Sequence, residues 1–161
     1  MADAVNDMDS NQRTAPRIVV DADACPVKEE VYRVARRTGC PVQVVANAFM
    51  RTPPDVTLTV VDAGPDAADD WIAERVRPGD IVITNDIPLA SRALKAGGAA
   101  LSATGKPFTE SSIGAALATR ELMEHLRSFG EGGGGPKPFS AADRSRFLSA
   151  LDAAVMKAKR G

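Results

Sequence analysis

The chain has 161 residues, of which 44% are hydrophobic, and a formal net charge of −1. This length suits one domain with a core of ordinary size, and the near-neutral charge excludes a uniformly basic nucleic-acid binder. No run of about eighteen apolar residues occurs, which excludes a membrane-spanning helix. The two cysteines lack metal-ligand spacing and make a poor disulfide framework, so we expect a reduced, cytoplasmic protein.

The first sixteen residues are polar and contain no apolar segment, so we expect a disordered tail at 1–16 rather than a secretory signal. From residue 17 onward, short apolar runs alternate with amphipathic segments, which predicts strands that alternate with helices in one domain, 17–159. The predicted strands are 17–21, 42–46, 56–61, 80–84 and 99–102. The predicted helices are 26–38, 64–76, 87–96, one that begins at Thr109 or Ser111 and ends near 129, and 140–159, where Ser140 and Asp143 resemble a capping box.

This alternation implies β-α-β units and therefore an α/β fold, with a mostly parallel sheet of about five strands and helices on both faces. The glycine-rich stretch 130–138 is predicted to form a loop before the last helix, either as a lid or as a simple linker. Sheets of this kind carry their functional sites beyond the carboxyl ends of the strands. Candidate residues are therefore sought at strand ends.

Aspartates occupy those positions. Asp21 and Asp23 close the first strand, Asp86 follows the fourth, and Asp66 and Asp69 open the helix between them. Like charges brought together repel each other unless a cation, protons or hydrogen-bond donors offset them. Because Mg²⁺ and Mn²⁺ prefer oxygen ligands, the pattern predicts a divalent-metal site with these five carboxylates as ligands. A structural alternative stays open, in which Asp23, Asp66 and Asp86 simply cap the helices that follow them, although capping explains Asp21 poorly.

Other polar residues give weaker signals. Cys25 precedes a predicted helix, where a thiolate is favoured, but the single histidine, His125, lies in a distant helix on a polar face. A small buried thiol is therefore the preferred interpretation of Cys25. Four arginines flank the glycine-rich loop and are candidates for contact with a polyanion: Arg120, Arg127, Arg144 and Arg146.

Several segments together resemble a known family. They are Asp21-Ala-Asp-Ala-Cys-Pro26, Asp66-Ala-Ala-Asp-Asp-Trp-Ile72, Gly79-Asp-Ile-Val-Ile-Thr-Asn-Asp-Ile-Pro-Leu-Ala90, Arg120-Glu-Leu-Met-Glu-His-Leu-Arg127, Gly134-Gly-Pro136 and Asp143-Arg144. In this order they resemble the YaiI/YqxD family of uncharacterised bacterial proteins, over about residues 18–151. That family is similar to PIN-like domains, a group of three-layer α/β folds that includes metal-dependent ribonucleases.

The resemblance implies which aspartates are catalytic. Carried over by position, the PIN-type aspartates are Asp21, Asp69 and Asp86, with Asp66 as a close companion of Asp69. Asp23 belongs to the family's own motif. Where the family tends to have Pro-Arg-Gly, this chain has Ala103-Thr-Gly105. The expected arginine is thus absent, and Lys106 is the nearby cation that could contact phosphate in its place.

The leading hypothesis is a Mg²⁺- or Mn²⁺-dependent phosphodiesterase that acts on RNA. The three PIN-type aspartates would hold the ions, and the other two would orient water or complete the ligand shell. The predicted contacts with substrate are Lys28, Asn85 and Lys106.

Two other classes of function remain open. Val20-Asp21-Ala-Asp23 also resembles the haloacid-dehalogenase pattern of small-molecule phosphatases, although Cys25 fits that pattern poorly. The third hypothesis is a module that binds RNA or a protein without catalysis. The sequence indicates no oligomeric state.

Overall fold

A computed structural model describes residues 16–64, 66–128 and 139–160 of the chain. The predicted tail at 1–16, apart from Pro16, and the predicted loop at 130–138 lie outside these described residues. None of the helices in the described ranges has the length and apolar content that a membrane span requires.

The described residues form five strands, five α-helices and one short 3-10 helix. The strands are β1 (Ile18–Asp21), β2 (Val42–Ala46), β3 (Val56–Val60), β4 (Ile81–Ile83) and β5 (Ala99–Leu101). The helices are α1 (Lys28–Thr38), α2 (Ala67–Arg75), α3 (Ile87–Lys95), α4 (Glu110–Ser128) and α5 (Ala141–Arg160), and the 3-10 helix is Ala22–Ala24.

The five strands make one sheet in the order β3-β2-β1-β4-β5, and every neighbouring pair is parallel. Strand β1 lies in the centre, so the chain first builds the sheet on one side of it and then crosses over to build the other side. Each residue of β1 is buried, as expected for a strand covered on both faces. This architecture confirms the predicted α/β class.

Two hydrophobic layers, one on each face of the sheet, make the core. Helices α1 and α5 cover the first face, where Phe147, Leu151 and Val155 of α5 are fully buried at a helical spacing of four residues. Helices α2, α3 and the beginning of α4 cover the second face, to which they contribute Ile72, Leu89 and other apolar residues. The prediction of helices on both faces is confirmed.

Local hydrogen bonds explain where the last two helices begin. The Asp143 backbone N–H donates to Ser140 Oγ at 3.1 Å, and the Ser140 N–H donates back to Asp143 Oδ2 at 3.0 Å, which confirms the predicted capping box. Thr109 makes a similar reciprocal pair with Ser112, at 3.0 and 2.8 Å. Thr109 is therefore the residue that caps α4, and the alternative start at Ser111 is wrong.

The predicted start of the first helix at Pro26 is also wrong. After β1 the chain makes a 3-10 turn, and α1 begins only at Lys28. The reason lies in packing, because Cys25 and Val27 are both buried in the core beneath this segment. Side chains bind the carbonyls of the segment: Lys28 Nζ donates to the Cys25 oxygen at 2.8 Å, and Arg144 Nη1 donates to the Pro26 oxygen at 2.9 Å.

Candidate acidic site

From β1 the chain adds β2 and β3 on one side and then β4 and β5 on the other, so the strand order reverses between β1 and β4. In an open parallel sheet, this switch point leaves a crevice outside the carboxyl ends of the two strands. Asp21 is the last residue of β1, and Asp86 comes three residues after the end of β4, at the start of α3. The fold therefore places these two aspartates on either side of the crevice, as the sequence predicted for strand-end residues.

Thr84 joins the two aspartates. Its hydroxyl donates a hydrogen bond to Asp21 Oδ2 at 2.9 Å, and the same oxygen accepts the backbone N–H of Asp86 at 3.0 Å. Thr84 and Asp21 are both buried, with 3% and 7% of their surface exposed. Sequence alone places Thr84 only at a strand end and does not identify this role, although a polar residue that closes an apolar strand is a signal of it.

Helix α2 brings Asp69 to the same crevice. Burial and the negative charges of Asp86 and Asp21 raise the pKa of Asp69 to about 7, and a hydrogen bond shared with Asp86 and the charge of Asp66 add to this shift. Asp69 lies in the first turn of α2, three residues after Asp66. Asp21, Asp69 and Asp86 thus lie within electrostatic reach of one another.

Asp21 experiences opposing influences. Burial raises its pKa above the ordinary value for an aspartate, the hydrogen bond from Thr84 lowers it, and the charges of Asp23 and Asp86 raise it again. The backbone N–H of Asp23 also donates to the Asp21 carboxylate. All five predicted carboxylates therefore belong to one electrostatic cluster, with Asp23 and Asp66 on its exposed side.

The capping alternative holds for only one of its three residues. Asp86 Oδ1 accepts the backbone N–H of Leu89 at 2.9 Å, so this carboxylate does cap α3. Asp66 occupies the cap position of α2, but its side chain makes no capping bond. At α1 the cap position belongs to Val27, so Asp23 does not cap that helix. Capping therefore accounts for one oxygen of Asp86 and leaves the rest of the cluster unexplained.

The donor set is made of carboxylate oxygens, which suits a hard divalent cation such as Mg²⁺ or Mn²⁺. The mutual repulsion that raises the pKa of Asp69 is what a bound cation would offset. Within the described ranges, however, no three His, Cys, Asp or Glu side chains are already placed to hold a metal ion. Metal ligation by this cluster would require its carboxylates to draw closer together.

The three predicted substrate contacts lie near this edge of the sheet. Lys28 is half-buried and donates to the carbonyl of Cys25. Asn85 lies in the turn between β4 and α3, where its Oδ1 accepts the Ala103 N–H at 3.0 Å. Lys106 is exposed in the loop that follows β5.

The remaining candidates are accounted for in other ways. Cys25 is buried, and burial raises the pKa of its thiol, which confirms the preferred interpretation as a small buried thiol. Arg144 lies over the ring of Phe139 and pairs with the buried Glu30 at 3.2 Å, so its guanidinium is engaged within the fold. The side chains of His125, Arg120 and Arg127 lie outside the part of the chain that can be described.

Comparisons with known proteins agree with the family resemblance. The model of the family described as "Uncharacterized BCR, YaiI/YqxD family" matches residues 19–157. A "UPF0178 protein" of Caulobacter sp. (strain K31) is 63% identical over 145 residues, which cover 89% of this chain and 96% of that protein. Proteins of the same name from Rhodopseudomonas palustris (strain BisB18) and Caulobacter vibrioides (strain NA1000 / CB15N) are each 60% identical, over 89% of this chain and 94% or 95% of their own lengths. No solved structure gives a significant match to the chain.

Proposed function

This chain belongs to the YaiI/YqxD family, and for it we propose a Mg²⁺- or Mn²⁺-dependent phosphodiesterase activity on RNA. The family description and the names of its relatives state no activity, so the proposal depends on the acidic site. The observation that carries it is the convergence of Asp21, Asp69 and Asp86 at the switch point between β1 and β4. A merely structural role would not require three acidic side chains from separate elements to share one crevice.

The hydrogen bonds of Thr84 support the assignment of roles. Thr84 fixes Asp21 and the backbone of Asp86 relative to each other, so two of the proposed ligands are held before any ion binds. Asp69 approaches from the neighbouring helix and completes the proposed set. A bound divalent cation would lower the pKa of its water and stabilise negative charge on the phosphoryl oxygens. Asp23 and Asp66, on the exposed side, would orient water or complete the ligand shell.

The substrate would lie across the carboxyl edge of the sheet. Lys28 and Asn85 border the crevice and would contact the scissile phosphate, and Lys106 would contact a neighbouring phosphate. We place this activity in the cytoplasm, because both cysteines of the chain, Cys25 and Cys40, are free and buried. The proposed partner is RNA.

The test compares cleavage of fluorescent single-stranded and structured RNA pools, with Mn²⁺ or Mg²⁺, by the unmodified protein and by Asp86→Asn. Asparagine still caps a helix, so this variant removes one charge while it keeps the bond to Leu89. The matched control is Asp70→Asn, since Asp70 lies beside Asp69 in α2 but pairs with Arg92 at 2.7 Å. We expect Asp86→Asn to lose at least 100-fold in cleavage rate and to bind Mn²⁺ more weakly by calorimetry, whereas the control retains both properties.

Two results would overturn the proposal. One is the absence of cleavage of any RNA pool with either metal, and the other is cleavage by Asp86→Asn at the unmodified rate. An aryl-phosphate assay is run in parallel, because hydrolysis accompanied by a phospho-aspartate at Asp21 would indicate the phosphatase class instead.

A further inference from the structure

A second candidate surface lies on the same edge of the sheet, one strand beyond the acidic site. The loop that follows β5 packs against α5, and Gly105 sits so close that an added Cβ would lie 2.8 Å from the carbonyl oxygen of Arg146. Beside this contact is an open groove of about 480 Å³. Its lining, which defines the β5–α5 groove, is Gly105, Ser145, Arg146, Ser149 and Ala150.

A hydrogen bond joins the loop that leads to the groove and the turn that leads to Asp86. Asn85, between Thr84 and Asp86, accepts the backbone N–H of Ala103 at 3.0 Å, and Ala103 is two residues before Gly105. Strands β4 and β5 are hydrogen-bonded neighbours, which places their ends about 5 Å apart. The acidic site and the β5–α5 groove therefore lie at neighbouring strand ends on the carboxyl edge of the sheet, a course that an extended polymer bound at the acidic site would follow.

The side chains of the groove suit a phosphate backbone. Arg146 exposes 63% of its side chain, and its Nη2 pairs with Asp143, which also caps α5 through the Ser140 N–H. A guanidinium has five N–H donors, so one pair does not exhaust it. Exposed Ser145 and Ser149 add hydroxyl groups.

The lining contains no aromatic side chain on which a base could stack. Contacts made through cations and hydroxyl groups position the backbone of a nucleic acid without reading its sequence. Lys106, which follows Gly105 and is exposed, adds a second cation beside the groove.

We propose that the β5–α5 groove binds the phosphate backbone of single-stranded RNA adjacent to the scissile phosphate, with Arg146 and Lys106 as the main contacts. The choice of RNA rests on the proposed function. The choice of a single strand rests on length, because the part of the lining that α5 supplies, Ser145 to Ala150, spans only about 9 Å along the helix. Recognition of an RNA duplex extends over about 16 base pairs, which a groove of this size does not match.

The experiment measures binding without cleavage. Fluorescence anisotropy with a labelled 12-nucleotide single-stranded RNA is recorded in EDTA across a series of salt concentrations. We expect Arg146→Gln to weaken binding by about 3- to 10-fold and to lower the salt slope by roughly 0.7, the value for one lost phosphate contact on a single strand. Ser149→Glu, which places a negative charge in the groove and leaves the pair between Arg146 and Asp143 in place, should weaken binding similarly.

The matched control is Arg92→Gln, because Arg92 is also a surface arginine paired with an aspartate, Asp70, but it lies on α3. The proposal would be overturned if Arg92→Gln weakened RNA binding as much as Arg146→Gln, or if neither groove variant changed the affinity. It would also be overturned if the protein bound an RNA duplex more tightly than the single strand, or if the unmodified protein bound no RNA. Cleavage and Mn²⁺ binding are measured separately. If the unmodified protein cleaves RNA but Arg146→Gln binds RNA as tightly as it does, only the groove proposal is refuted. If Arg146→Gln binds RNA more weakly but the unmodified protein cleaves no RNA, the phosphodiesterase proposal is refuted and the groove proposal stands.

Discussion

Replacement of Thr84 by valine tests whether its hydroxyl holds the acidic site together. Valine has nearly the same shape as threonine, so the change removes two hydrogen bonds and little packing. These are a buried bond to the Asp21 carboxylate at 2.9 Å and a partly buried bond from the Asp86 N–H at 3.0 Å. A hydrogen bond to a charged group contributes about 1.5–3 kcal/mol and a neutral one about 0.5–1.5 kcal/mol. We therefore expect Thr84→Val to lower the free energy of unfolding by about 2–4 kcal/mol at pH 8.

The pH dependence makes this prediction specific. The Thr84 hydroxyl lowers the pKa of Asp21, so its removal raises that pKa further above the value in the unfolded chain. The folded variant then binds a proton more tightly, and its deficit in stability shrinks as the pH falls through the pKa of Asp21. Urea unfolding followed by circular dichroism at pH 8 and pH 4 measures both values.

Thr84→Ser is the matched control, because it keeps the hydroxyl and removes only a methyl group, at a cost of about 1 kcal/mol at either pH. The reasoning is refuted if valine costs no more than serine, or if the deficit caused by valine is the same at both values of pH.

Three further predictions concern the site and the core. Because the pKa of Asp69 is raised to about 7, the folded metal-free protein holds this proton more tightly than the unfolded chain, and its stability should fall as the pH rises from about 4 to 7. Asp69→Asn should remove that fall and stabilise the protein at pH 8 by on the order of 1 kcal/mol, a value reduced for solvent screening of this partly exposed group. Urea titrations in EDTA check this, and a stability that stays constant from about pH 4 to 7, or no stabilisation by Asp69→Asn at pH 8, would contradict the raised pKa. Phe147→Ala should lower the free energy of unfolding in urea by about 3–5 kcal/mol, because Phe147 is fully buried, whereas Met156→Ala on the exposed side of α5 should lower it by under about 1 kcal/mol. Similar losses for the two variants would contradict the packing of α5 on the sheet. Gly105→Ala should destabilise the protein by at least about 1–2 kcal/mol, because φ is +87° and the added methyl meets the Arg146 carbonyl. Gly114→Ala, in open helical surroundings, should stabilise it by about 0.5–1 kcal/mol. Thermal unfolding measures both, and equal shifts of the melting temperature in the same direction would refute this contrast.

The fold class was predictable because its signals are local. Strand β1 is apolar along most of its length since both faces are covered, and the Ser140–Asp143 capping box is encoded within four residues. The prediction failed at Pro26, where a local preference for the first turn of a helix was overridden by the burial of Val27. Propensity describes what a short segment prefers in isolation, whereas packing of the segment against the sheet decides where the helix begins.

The order of residues alone specifies which residues end the strands and that several of these are acidic, because hydrophobic periodicity and side-chain chemistry are local properties of the chain. It did not determine that β1 lies beside β4, and without that neighbour the bond between Thr84 and Asp21, which are 63 positions apart, cannot form. Nor could it give the raised pKa of Asp69, since this shift depends on burial and on charges carried by β1 and by the start of α3. Both depend on the tertiary structure, because electrostatic energy depends on distance in space, and that distance is set here by the order of the strands and by the packing of α2 on the sheet.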